Sequence, residues 1–276
     1  MLSQLIPYIW FFFIYGFLGW CMEVIYAASC HGKFVNRGFL NGPSCPIYGF
    51  GMVVVVWCLT PLKENVLVLF LGSVLLTTLI ELVTGFCLER FFHNQWWDYS
   101  NIPFNFHGYI CLKFSLLWGI ACTMVMDIVH PAVEKVVAVL CSKPGYILLV
   151  LCCLAMLADT IETIADILKF NKRLEKIDEV AQRLHQISEE IGSNLSEGTI
   201  TAMEKGEEWK ENLESKKQKK EKERLETKEQ LEKLLSQKMY ANRMLHAFPD
   251  MKNRAHGEAL SWLKEYMRRA KQDKMN

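Results

Sequence analysis

The chain contains no phosphate-binding loop of the form G-x-x-x-x-G-K-[ST], no G-x-S-x-G and no H-E-x-x-H. The first absence argues against ATP hydrolysis by this polypeptide alone. The other two remove the serine-hydrolase elbow and the zinc-protease helix as starting points. No C-x-x-C pair occurs among the 10 cysteines, which all fall between residues 21 and 153. Most lie in apolar runs, where cysteine packs as a small hydrophobe. Neither a disulfide framework nor a zinc site is spaced this way. The expectation is a chain with reduced thiols and with no catalytic residue, metal site or cofactor. The first six residues carry no basic charge and no small-residue cleavage motif follows, so a cleaved signal peptide is not expected.

Charge is also scarce in residues 1–168, which hold seven Lys/Arg and ten Asp/Glu, a net of −3. The other 108 residues hold 24 and 20, a net of +4. What fills the first part is apolar sequence in lengths that cross a hydrocarbon layer of ~30 Å. Spans are expected at about 7–29, 47–62, 66–88, 109–130 and 146–168. The expected fold is therefore an all-α integral membrane bundle of about five transmembrane helices, residues 1–168, followed by a cytosolic helical, coiled-coil tail. Basic residues set the orientation. With the N-terminus outside, the inner side receives Lys33, Arg37, Arg90, Lys169, Lys172 and Arg173, against Lys63, Lys135 and Lys143 outside. That majority places the tail in the cytoplasm of a multi-pass cell-membrane protein.

The tail changes pattern at once. Leu174, Ile177, Ala181, Leu184, Ser188 and Ile191 alternate by three and four, as in a short coiled-coil seam. The run Gly192–Gly198 is expected to break the helix, and a second helix is expected over about 199–245. The seam is expected to pack on that second helix or on a second copy of the chain. Residues 211–233 mix Lys and Glu without interleaved aromatics, which reads as a solvated helix and not as a nucleic-acid site. Pro249 ends the helical pattern. Residues 169–250 thus form a long-helix tail. Within 251–276 a last amphipathic helix, about 257–271, carries Leu260, Leu263 and Met267 on one face, with Arg268, Arg269 and Lys271 near its end.

Charge inside the spans is the main functional signal, because it is costly in lipid and faces the bundle interior with a partner. Glu23, Glu81 and Lys113 fall in or at spans, and Lys113 is expected beside Glu81 or Glu23. Asp159, Glu162 and Asp166 share one face of the fifth span. Two turn-rich loops, 36–51 and 96–115, each lead into a span through G-x-x-C, at Gly42–Cys45 and Gly108–Cys111. Each also follows a helix with a late glutamate, which is a weak internal repeat. The loops are expected to meet as one cytoplasmic vestibule. It would present Arg37, Asn41, Asp98, Asn105 and His107, with Glu23, Glu81 and Lys113 below. Against this stands a plainer reading, in which Asp98 closes its own turn, the tryptophans anchor at the interface and a buried pair fixes helix register.

The runs Arg37-Gly-Phe-Leu-Asn-Gly-Pro-Ser-Cys-Pro-Ile-Tyr-Gly-Phe-Gly51 and Trp97-Asp-Tyr-Ser, Pro103-Phe-Asn, Gly108-Tyr-Ile-Cys-Leu and Ser115-Leu-Leu-Trp-Gly119 resemble the ABC-transporter type IV family of bacterial membrane proteins. The resemblance covers about 30–170, and Met244–Pro249 is similar to tails carried by some members. It implies a permease subunit that moves a small solute or lipid with a separate ATPase, and it brings no assigned catalytic residues. The alternative is a non-transporting scaffold or sensor whose tail recruits a partner, or a second copy of the chain. A membrane enzyme built on Asp98 or His107 ranks third.

Overall fold

The computed structural model describes residues 2–201, 207–236 and 241–272, and it is helical nearly throughout. The chain divides into two compact units, Met1–Leu168 with Tyr240–Arg254, and Lys169–Met239 with Ala255–Asn276.

The first unit begins with α1 (Leu2–His31), α2 (Pro46–Leu59, extended by a 3-10 turn to Leu62) and α3 (Val66–Phe92). α4 (Leu112–Met124) passes through a π-helical turn, Val125–Val129, into α5 (His130–Leu140). Pro131 follows that turn. It has no N–H for the helical ladder, and a widened turn absorbs the defect. α6 starts at Lys143. Local signals set the ends: Asn65 accepts from the N–H groups of Leu67 and Val68 at the head of α3, and Pro46 occupies the first turn of α2.

Among the described residues, four helices are long and apolar enough to cross a membrane: Gln4–Cys30, Val66–Phe92, Leu112–Leu140 and Lys143–Ser193. The helix Pro46–Leu62, expected as the second of five spans, is apolar but shorter. Along α3, Leu67, Leu71, Leu75, Leu79 and Val83 recur at helical spacing and are all exposed. In water such a stripe would be an association surface. On a helix of this length it is the face for lipid tails. The opposite face packs on α4 through small residues, Ser73, Ser115 and Gly119, which let helix backbones approach closely. Trp10, Phe11, Tyr15, Met52, Val55, Leu59, Cys122 and Met126 form the core where α1, α2 and α4 meet. His130 is buried there, bonded to the Tyr15 hydroxyl at 2.9 Å. All ten cysteines are free thiols.

Within the second unit α6 runs unbroken to Thr201, so the break expected at Gly192–Gly198 does not occur. A helical glycine costs only ~1 kcal/mol, whereas stopping and restarting a helix incurs a new nucleation cost. No proline is present there to force a stop. α7 (Glu207–Ser236) returns antiparallel to the tail part of α6. Lys220 pairs with Glu190, Arg183 with Glu223 at 2.8 Å, and Arg173 donates to the Leu234 carbonyl at 2.7 Å. The expected seam is recovered at Leu174, Ile177 and Ala181, which are buried. Further on it shifts by one residue, because Ile187 is buried while Ser188 is exposed and caps the Leu184 carbonyl. α9 (Gly257–Gln272) packs on α7 and buries Leu260 and Leu263. Its Arg268 and Arg269 both bond Glu265, holding that carboxyl down at about 2. The second expected tail helix, about 199–245, is α7 followed by the separate α8 (Ala241–Ala247), with 202–206 and 237–240 outside the described residues.

Candidate functional site

Both turn-rich loops lie at the same end of the first unit. The second, residues 93–111, is folded on itself. Asn105 donates to the carbonyls of Ser100 and Ile102 and accepts from the Gly108 N–H. β2 (Asn105–Phe106) pairs antiparallel with β3 (Ile110–Cys111). Gly108 has φ +72°, and a Cβ there would lie 2.5 Å from Asp98 Oδ1, so the turn needs glycine on both counts. Phe39 from the first loop sits 5.6 Å from the Trp96 ring and 6.4 Å from the Phe92 ring. The two cysteines of the G-x-x-C pairs play one role: Cys45 and Cys111 are each buried and extended, immediately before α2 and α4.

A segment of the tail binds both loops. Arg243 donates to the carbonyls of Gly38 at 3.0 Å and Phe39 at 3.2 Å. β4 (Lys252–Asn253) pairs antiparallel with β1 (Asn94–Gln95), and Asn253 bonds the buried Asn94 side chain at 2.8 Å. The Arg254 N–H donates to the His93 carbonyl at 3.0 Å. Lys252 pairs with Asp98 and Arg254 with Glu89. Met244, Leu245, Ala247 and Met251 are buried beneath this seam. Sequence reasoning missed the docking. Its only trace there is charge complementarity, Lys252 and Arg254 against Asp98 and Glu89, at a separation no periodicity can register.

Burial pushes the Asp98 carboxyl up, but Lys252 and the two donors of Ser100 outweigh it and hold the group below the ordinary aspartate value. A depressed carboxyl stabilises above its unfolded value, and that contribution is lost as pH falls through the folded value. Docking of 241–254 is therefore expected to be constant from neutral pH down to about 5 and to weaken below about pH 4. Asp98→Asn is expected to weaken it at neutral pH and to flatten this pH dependence. Hydrogen exchange of the 241–254 amides across that range checks both.

Beneath the loops lies a set of tyrosine–carboxylate bonds. The Tyr48 hydroxyl donates to Glu23 Oε1 at 2.6 Å, and Arg37 Nε donates to Glu23 Oε2 at 2.9 Å. The Tyr99 hydroxyl donates to Glu81 Oε1 at 3.0 Å. Burial, then the facing Glu81, push the Tyr99 hydroxyl well above the usual tyrosine range, and Glu23 adds to the shift. Tyr99 therefore keeps its proton and stays a donor to Glu81. Tyr109 repeats the pattern, bonding Glu89 at 2.7 Å. Tyr48 fits because its ring lies directly against Gly19 of α1, where a Cβ would clash.

The sequence-derived residues thus part company. Glu23, Arg37 and Glu81 come together through Tyr48 and Tyr99. Lys113 does not join them: it is exposed, with the Phe114 ring 5.9 Å away. Its expected partners are taken, since Arg37 already answers Glu23 and Tyr99 answers Glu81, and no ion pair of Lys113 occurs among the described residues. Asn41 and Gly42 donate their N–H groups to Asp159 at 3.0 and 2.8 Å, so Asp159 fixes the first loop. Glu162 is exposed, which separates it from Asp159 on the shared face. Asn105 ties its own turn, and His107 is exposed at φ 50° against Phe106.

Residues 10–164 match the protein family described as "Putative ABC-transporter type IV". The match takes in the helices, both loops and the tyrosine–carboxylate set, and stops short of the docked tail segment. No curated protein and no solved structure matches the chain.

Proposed function

The chain belongs to the ABC-transporter type IV family, and from that premise we propose that it is the membrane-spanning permease subunit of an ABC-type transporter. It moves a small solute or lipid with a separate ATPase, since its own sequence has no phosphate loop. Connectivity supports a reading with five passes through the cell membrane. α1 and α3 end in the two loops that Phe39 and Trp96 join, so both run the same way. α2 must then cross back between them. Its 17 residues to Leu62 span roughly 25 Å, short of a full layer by an amount that bilayers accommodate. The basic-residue majority supports loops and tail in the cytoplasm with the N-terminus outside.

The carrying observation is the tail segment bonded to both loops at once. It couples a cytoplasmic surface to the helix ends and, through Tyr99 and Arg37, to the carboxylates within the bundle. Arg37, Asn41, Asp98, Asn105 and His107 lie along this surface as candidates for partner or substrate contact. The test is reconstitution of the full chain after mild purification from its own membranes. A phosphate-loop ATPase recovered in fixed ratio, whose hydrolysis rises with the chain present, is the expected result. A chain that retains activity without any ATPase would sink the proposal.

The scaffold reading draws on the second unit, a separate helical body rich in exposed charge. Its seam residues Leu174, Ile177 and Ala181 are already buried within the same chain, where α7 runs antiparallel to α6.

A further inference from the structure

Glu81 is in the middle of α3, eleven residues before Phe92, or roughly 16 Å along the helix. It is only 8% exposed. One oxygen accepts from Tyr99, and the other, Oε2, is buried with no hydrogen-bond partner among the described residues. No cation answers it. α2 contains no Lys, Arg, Asp or Glu, and the single charge of α4 is the exposed Lys113. On α1, Glu23 holds Arg37 in an ion pair. Tyr48 gives its hydroxyl to Glu23, and Cys45 and Cys111 carry free thiols. On α3 itself, Glu89 is engaged by Tyr109 and Arg254. A carboxylate ionised here would have one neutral donor and no counter-charge, and such a group neutralises instead.

We propose that Glu81 is an intramembrane proton-binding site, its carboxyl taking up a proton on Oε2 and remaining a neutral acid while Tyr99 is seated on Oε1. Binding adds one proton and cancels one negative charge, with no other bond changed. Glu23 is the internal contrast: its charge is matched by Arg37. The inference does not depend on an ATPase partner and holds equally for a scaffold.

Two measurements on the full-length protein in lipid nanodiscs test it. Infrared spectroscopy at neutral pH is expected to show the carbonyl stretch of a protonated carboxylic acid that Glu81→Gln removes and Glu23→Gln leaves. If Glu81→Gln instead removes an ionised carboxylate band, the proposal is overturned. The second probe is N,N′-dicyclohexylcarbodiimide, which reacts with protonated acids in apolar surroundings. The acid oxygen adds to the carbodiimide carbon and its proton to nitrogen, and the adduct rearranges to an N-acylurea without losing an atom. Peptide mass spectrometry is expected to place the adduct on Glu81. An adduct on Glu23 in its place would count against the assignment. Loss of the acid band on adding sodium ion at constant pH would overturn the proton in favour of a metal cation.

Discussion

Arg37→Met is expected to lower the stability of the helical bundle by about 3 kcal/mol, and adding Glu23→Gln is expected to recover most of the loss. The pair is three-quarters buried, each side chain 23% exposed. Glu23 also receives the Tyr48 hydroxyl. Removing the guanidinium leaves a carboxylate with one neutral donor between apolar helices. Removing both charges leaves a neutral amide that Tyr48 still satisfies. Lys113→Met is the control. Lys113 is exposed and outside the set, so a change within about 0.5 kcal/mol is expected. Thermal unfolding in one detergent, followed across the four proteins, decides the matter. A loss on Lys113→Met as large as that on Arg37→Met would contradict the pairing described here.

Met251→Ala is expected to release the docked tail segment without unfolding the helices. Met251 is fully buried, and truncating a buried methionine costs about 2–5 kcal/mol. The cost falls on a local equilibrium, opening of 241–254 from the loops, and not on the bundle as a whole. At about 2.8 kcal/mol the open fraction rises about 100-fold. Hydrogen exchange of Asn94 and Asn253, whose strands pair, is expected to accelerate by that factor while α3 keeps its protection. Equal acceleration in both would show that docking and bundle form one cooperative unit.

What the sequence disclosed is what periodicity and length can disclose. The long apolar runs became α1, α3, α4–α5 and the start of α6, and the alternation at Leu174, Ile177 and Ala181 became a buried seam. What it withheld is the choice of partner. Burial of Glu23 and Glu81 followed from their position, but either could be answered by a lysine or by a tyrosine. A tyrosine hydroxyl at the end of a loop leaves no charge pattern to read. Lys113 was misplaced for the related reason that a helix start near an interface lets a long side chain reach water. Gly192 and Gly198 lie within α6 without breaking it, since a helical glycine weakens a helix but does not stop it. The docking of 241–254 rests on side chains 154 (252 − 98) to 205 positions from their partners, beyond any local signal.

That separation has a consequence in time. At 5–20 residues per second, a ribosome needs roughly 10–40 s to travel from the loops to the segment that completes them. α1 to α4 are made first, and through that interval the 93–111 hairpin has neither the Asn253 amide nor the Lys252 ammonium. Until the chain is nearly finished, Asp98 has the Ser100 donors of its own turn but not the Lys252 ammonium. Seating of the tail is thus the last native contact these loops can make, and a chain truncated before Arg243 carries two open loops for quality-control proteases to find.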